Sequence, residues 1–447
     1  VSIVVQLSAE RFTQVTAMFF RDRTNLVVMG FYVVGCMCGI FVSLSLGVSF
    51  VPRISLVFMI VVALVAFALM APYFAYVFEF LQPENIIRRI RIRALKVAAD
   101  GSRTRSEDEL AEAQAAALSA MEQLTDITIN SISGKDKIIA TAGVDALKEF
   151  GVRYLDLKAG AASAWFAIGA RLRDNPDFVS LASESVQELV TKRTWVEWKV
   201  LRQFQAIYTE ALASMRDINP VVAIDTRYLG EAAIAARDRE ALALCVKFFN
   251  SYLRATLNAR EVRTAYNILN QYRQLAESLV REQWNDKAVE VAGYIKYYAH
   301  LSFRMDLAFI TETVAYDLCA LCEFAHEKKS PVETKLLKIF LEVDEESATG
   351  EQQENGLRGV RKAQVKLATY YLVCRDEPMA RTIFEDMKNE RPERLRSIQE
   401  ELEKIESKDF WEVIDRGTNF DYLPPERKAA LRTFFGWFVT SPEARVG

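Results

Sequence analysis

The sequence predicts an all-α protein: a transmembrane helical hairpin followed by a large cytoplasmic helical domain with the repeat-like character of an α-solenoid. Three observations predict it. Two uncharged runs stand back to back, residues 24–52 (29 residues) and 54–78 (25 residues), neither holding an Asp, Glu, Lys or Arg. Glycine (18) and proline (11) are scarce among 447 residues, and these are the residues that interrupt helices and shape turns. Beyond residue 104, apolar side chains recur at helical spacing in one segment after another.

Charge divides the chain at a similar place. Residues 1–97 carry 9 Lys and Arg against 4 Asp and Glu, whereas the remainder carries 47 against 55. An apolar start with basic flanks is therefore joined to an acidic, water-compatible body. The six cysteines are scattered rather than arranged as a disulfide framework, which points to a reducing compartment.

A bilayer core about 30 Å thick takes roughly 20 apolar residues of helix, and each uncharged run exceeds that. Neither run alternates as a barrel strand would, so helix is the form in which they cross. The short join GVSFVPRIS makes residues 24–80 a tight hairpin. Arg11, Arg21 and Arg23 precede it, and Arg88, Arg89, Arg91, Arg93 and Lys96 follow, so the positive-inside rule places both flanks in the cytoplasm. Gly30, Gly35 and Gly39 give the first helix a small-residue face for packing, and Pro72 is expected to kink the second or mark a helix contact. Residues 1–20 read as the end of a preceding membrane or interfacial helix, with the natural chain beginning further upstream. Residues 83–100 read as a basic juxtamembrane helix. Its Ile86, Ile87, Ile90 and Leu95 would face the bilayer surface, and its five cations would meet anionic head groups at about 1 kcal/mol each. Ordinary topogenic charge is an equal reading of the same residues.

Gln6-Leu7-Ser8-Ala9, Arg21-Asp22-Arg23 and Phe50-Val51-Pro52 resemble segments of the predicted bacterial membrane proteins grouped as domain-of-unknown-function family 2254. The resemblance covers the amino-terminal third. It implies a multi-pass protein of the bacterial inner membrane, usually with four membrane helices, and this chain would start partway through the second. A later family signature, Ser-Pro-x-x-Asn-Asp-Pro-x-Thr-Ala, corresponds to SGKDKIIATA, which keeps Ser133, Thr141 and Ala142 but lacks both prolines and the Asn-Asp pair. The family implies a membrane location and supplies no activity.

Residues 104–217 read as a helical linker domain, opened by a capping box from Ser106 to Glu109. Around SAWFAIGARLRDNPDFVS, residues 163–180, the periodicity fades and a short strand pair is expected. Trp195 and Trp198, beside Arg193 and Lys199, read as core rather than as a nucleic-acid patch, so no nucleic-acid partner is expected. Residues 224–440 read as helical hairpins. Leu367, Ala368, Tyr371, Ala380, Phe384 and Pro392 stand at the offsets of one tetratricopeptide-like unit, where small residues allow two helices to cross. Residues 343–357 are polar and aperiodic and read as a mobile loop.

Catalytic chemistry finds little support. There is no phosphate-binding glycine loop, no dinucleotide fingerprint, no His-Glu-x-x-His and no Gly-x-Ser-x-Gly. Cys319, Cys322 and His326 share one helical face and are the weak candidates for a metal, with His300 as a fourth ligand. A buried small hydrophobe is the commoner use of cysteine, and no metal or cofactor is expected. The sequence thus favours a non-enzymatic, membrane-anchored helical scaffold, with membrane lipids as partners, that homo-oligomerises or docks a cytoplasmic protein. The alternative is an oligomeric channel or mechanically gated pore formed by the membrane helices.

Overall fold

A computed structural model describes residues 22–47, 51–104, 106–344, 351–410, 413–417 and 419–440, and every regular element among them is helical. Residues 1–20, read above as a cut helix, lie outside the described residues. The chain divides into two compact units, Val1–Trp195 and Val196–Gly447, a boundary earlier than the 217–224 interval read from the sequence.

The first unit begins with α1 (Arg23–Leu44) and α2 (Arg53–Leu81). Their mean hydropathies are 2.2 and 2.9, and none of either apolar window is buried within the protein. Ile54 is 88% and Phe67 71% exposed, so the apolar side chains of these helices have little protein around them. Both are long and apolar enough to cross a membrane. Helix α2 continues through Pro72, which is exposed. Gly35 and Gly39 face α2, where an added Cβ would meet Val62 and Met59 at 3.6 and 3.5 Å, while Gly30 faces no described atom within 4 Å.

Helix α3 (Pro83–Gly101) corrects the interfacial reading. Ile86, Ile87 and Ile90 are buried in a bundle with α4 (Glu107–Ser133) and α5 (Lys137–Lys158), so the apolar stripe faces protein rather than lipid. A glycine lies at each of two close approaches in this bundle. A Cβ on Gly101 would fall 2.4 Å from that of Ala113, and one on Gly143 would fall 2.0 Å from Thr128 Oγ1. Ser106 caps α4 as expected, accepting from Glu109 N–H at 3.5 Å, but the Glu109 carboxylate turns to the Thr104 hydroxyl instead of closing the box.

The strand pair expected within residues 163–180 is absent. In its place stand a 3-10 turn (Ser163–Phe166) and two single-turn helices, α6 (Ala170–Arg173) and α7 (Pro176–Val179), before α8 (Ser183–Thr191). Pro176 has no N–H for a ladder and takes the first helical position, with Asn175 accepting from Asp177 N–H at 3.1 Å. The Trp165 carbonyl is taken by the Gln114 amide and by the Trp195 indole N–H, each at 2.9 Å, so side chains replace a strand neighbour.

The second unit is a two-layered stack. It comprises α9 (Trp195–Ser214), α10 (Ile218–Ala235), α11 (Arg239–Asn258), α12 (Val262–Arg281), α13 (Asn285–Arg304), α14 (Ala308–Glu327), α15 (Glu333–Leu341), α16 (Glu351–Val373), α17 (Glu377–Met387), α18 (Pro392–Lys404) and α19 (Pro425–Thr440). Helices α10, α12, α14 and α16 pack in succession as one layer, and α11, α13 and α15 form the other. Leu367, Ala368, Tyr371 and Ala380 are fully buried where α16 meets α17, Phe384 is nearly so, and Pro392 opens α18. Helix α16 begins inside the expected loop of 343–357, and residues 345–350 lie outside the described residues.

One turn recurs between these helices. Arg237, Arg260, Gln283, Asp306 and Lys329 each adopt a left-handed backbone, with φ between 50° and 60°, and successive members are 23 residues apart; Arg375 follows two such intervals later. After each, the next N–H reaches back to the carbonyl five residues earlier, as Trp284 does to Leu279 at 2.8 Å and Asp376 to Tyr371 at 2.9 Å. A side chain at such a position costs about 1–2 kcal/mol that glycine avoids. Arg260 is exposed, and Arg260→Gly is expected to raise stability by roughly 1 kcal/mol. The urea midpoint of the detergent-solubilised protein, followed by circular dichroism, measures this.

Candidate functional site

Among the described residues between α18 and α19 there is no regular helix except a 3-10 turn (Ile414–Arg416) closed by Gly417 at φ 58°. Asn419 then accepts from the N–H groups of Asp421 and Tyr422, at 2.9 and 2.8 Å, which fixes the following bend. This segment forms a strap across three consecutive helices of one layer.

On α12, Arg263 donates from Nε and Nη2 to the two carboxylate oxygens of Asp415, both at 2.8 Å, and Asn267 adds a third donor at 2.9 Å. The Arg263 hydrogen bonds come first in holding the Asp415 carboxyl far below the usual carboxylate range, against some opposition from burial. On α14, Asp317 accepts from Arg416 at 2.8 Å, and Tyr316 stacks on Phe420 with centroids 4.0 Å apart and planes at 8°. On α16, Lys366 donates to the Phe420 carbonyl and Lys362 to the Asp421 carboxylate, each at 2.5 Å. Val413, Phe420 and Leu423 are buried beneath. Where the strap enters α19, Arg427 makes a two-pronged bond to Glu323 of α14 at 2.8 and 3.0 Å. The arrangement holds a turn-containing, largely non-helical segment by charge pairs, an aromatic stack and apolar side chains.

Sequence reading missed this site. Its partners are separated by as much as 152 positions, and the cue that stood in the sequence was the aperiodic stretch DRGTNFDYLPP between two helical segments.

The residues singled out from the sequence lie elsewhere. Cys319 and Cys322 are buried, and burial raises both thiols well above their ordinary range, which opposes the thiolate form a metal requires. His300 bonds through Nε2 to the Glu342 carbonyl at 2.8 Å. His326 Nδ1 lies 2.8 Å from Glu333 and 3.9 Å from Asp376, and its ring meets Tyr370 and Tyr371 edge-on. His326, Glu333 and Asp376 could offer ligand atoms to a metal, all within 4.8 Å of one another. Asp376 already caps α17 by accepting from Met379 N–H at 3.3 Å. Of the helix cations, Arg88, Arg93 and Lys96 are exposed and Arg91 is half-buried. Arg89 instead folds over the Phe80 ring at 4.0 Å and reaches Asp22 at 3.5 Å. Asp22, the centre of Arg21-Asp22-Arg23, caps α1 through the N–H groups of Thr24 and Asn25 and also accepts from the Tyr76 hydroxyl, so it ties α1, α2 and α3 together.

The fold is thus that of an all-helical protein in which an outward-apolar hairpin precedes a stack of helical hairpins. Residues 1–135 match the model of a family described as "Predicted membrane protein (DUF2254)". No curated protein matches the chain. A solved structure described as a circular tandem repeat protein with novel repeat topology and enhanced subunit contact surfaces aligns over 93% of this chain and 96% of that one. Its identity is 12% and its TM-score 0.41, too low to bear on fold or function.

Lys366, under the strap, supplies a pH test. Burial pulls its ammonium down to about 8 from an ordinary 10.5, despite the carboxylates of Asp421 and Glu323. Below pH 8 the folded protein carries the full cost of the buried charge. Between pH 8 and 10.5 the folded form loses the proton while the unfolded chain keeps it, so this group's contribution to stability rises with pH across that window. Wild type is therefore expected to gain stability relative to Lys366→Met as pH rises from 8 to 10.5, measured by paired urea titrations.

Proposed function

We propose that the protein is a non-enzymatic scaffold of the bacterial inner membrane, anchored by the α1–α2 hairpin, with its helical stack in the cytoplasm docking protein segments or further copies of itself. The observation that carries this reading is the strap: one face of the stack already binds a non-helical, turn-containing stretch of polypeptide through side chains of α12, α14 and α16. The anchoring half rests on two helices whose apolar side chains have no protein to cover them, and on the family match. Basic residues on both flanks of the hairpin support a cytoplasmic body. Arg88, Arg91, Arg93 and Lys96 serve in this reading as contacts to anionic lipid head groups.

The protein is expected to stay in the pelleted membranes after an alkaline carbonate wash and to be released by detergent. Chemical cross-linking in those membranes should then yield discrete multimers or one stoichiometric adduct. Recovery in the carbonate supernatant removes the anchor, and a monomer without adducts removes the scaffold.

A further inference from the structure

The strap is buried against its face at Val413, Phe420 and Leu423, but it joins α18 through an exposed tether. Residues 406–410, between α18 and the docked portion, are exposed and carry no regular structure, and Phe410 is 71% exposed. Arg263, the principal partner on α12, has a side chain 66% exposed, so the pair it makes with Asp415 is open to solvent. Arg416 Nε and Nη2 on the strap and Asp317 Oδ2 beneath it are buried without a hydrogen-bond partner among the described residues. The segment is thus complementary to its face in charge and apolar contact, and its tether to α18 is exposed.

Any second copy of the chain presents the same arm and the same face. We propose that the face formed by α12, α14 and α16 is a docking site for the strap of a second copy, exchanged with α19 about residues 406–410, so that the contacts now made within one chain re-form between two. This rests on the scaffold reading and names its partner. Exchange of identical arms needs no new complementarity, because Arg263–Asp415, Asp317–Arg416 and Tyr316–Phe420 are reused. Two copies confined to one membrane meet at a raised effective concentration, which favours exchange over the free state.

Charge reversal across the Arg263–Asp415 pair tests it on the full chain in nanodiscs. Arg263→Asp sets two carboxylates against each other within one copy, and Asp415→Arg sets two guanidiniums. Mixed before reconstitution, each copy's arm finds a matched face only on the other. Hydrogen exchange over residues 419–423, a sequence common to both variants, is the readout, with circular dichroism as the check on folding. Each variant alone is expected to exchange there on the order of tenfold faster than wild type, and the mixture is expected to regain most of the lost protection. A mixture that exchanges as the average of the two variants overturns arm exchange. Variants that keep wild-type protection alone also overturn it, because the arm is then not releasable at this pair. Either result leaves the membrane anchor and cross-linked assembly to stand or fall on their own measurements.

Discussion

Every hairpin in the middle of the second unit depends on bending the backbone through the left-handed region at a residue that carries a side chain. The bend costs energy, and it persists because the next N–H closes on a carbonyl that the ending helix leaves open. Each closure stops a helix and starts the next within three residues, which holds four consecutive helices, α11 to α14, at 20 residues apiece. Two of these helices, α12 and α14, with α16 beside them in the same layer, carry Arg263, Tyr316 and Lys366, all of which contact the strap.

The hairpin and the helical class were legible because each shows in local composition. A run of 25 uncharged residues announces itself without any knowledge of its neighbours. The 23-residue period was not legible, since the turn positions hold Arg, Arg, Gln, Asp and Lys. The repeat resides in backbone closure and helix length, and a search for repeated side chains passes over it. The one unit that did show itself, around Ala368 and Ala380, did so because a close helix crossing demands small side chains.

One sequence inference failed because a pattern does not name the partner that covers it. The isoleucines of α3 form a true amphipathic stripe, and the stripe is buried, but α4 and α5 cover it in place of lipid. The stripe of Cys319, Cys322 and His326, for which the sequence predicts no metal, shows the same limit, since His326 turns to Glu333 and Asp376. In each instance periodicity identified the face, and only the tertiary fold identified its neighbour.

The strap shows how charge and apolar contact divide the work of docking. The Arg263–Asp415 pair is well aligned, but its guanidinium is largely exposed, and exposed pairs contribute about 1 kcal/mol or less. Arg416 is largely buried and Asp317 buried, and three of their polar atoms have no partner among the described residues, so much of their attraction offsets desolvation. The holding therefore falls to Val413, Phe420 and Leu423, since a fully buried side chain of this size contributes roughly 1.5–3 kcal/mol. Apolar contacts of that kind tolerate a shift along the face, whereas a two-pronged carboxylate–guanidinium bond does not. The charges fix where the strap lies, the apolar side chains keep it there, and a segment lacking either set would bind out of register or not stay.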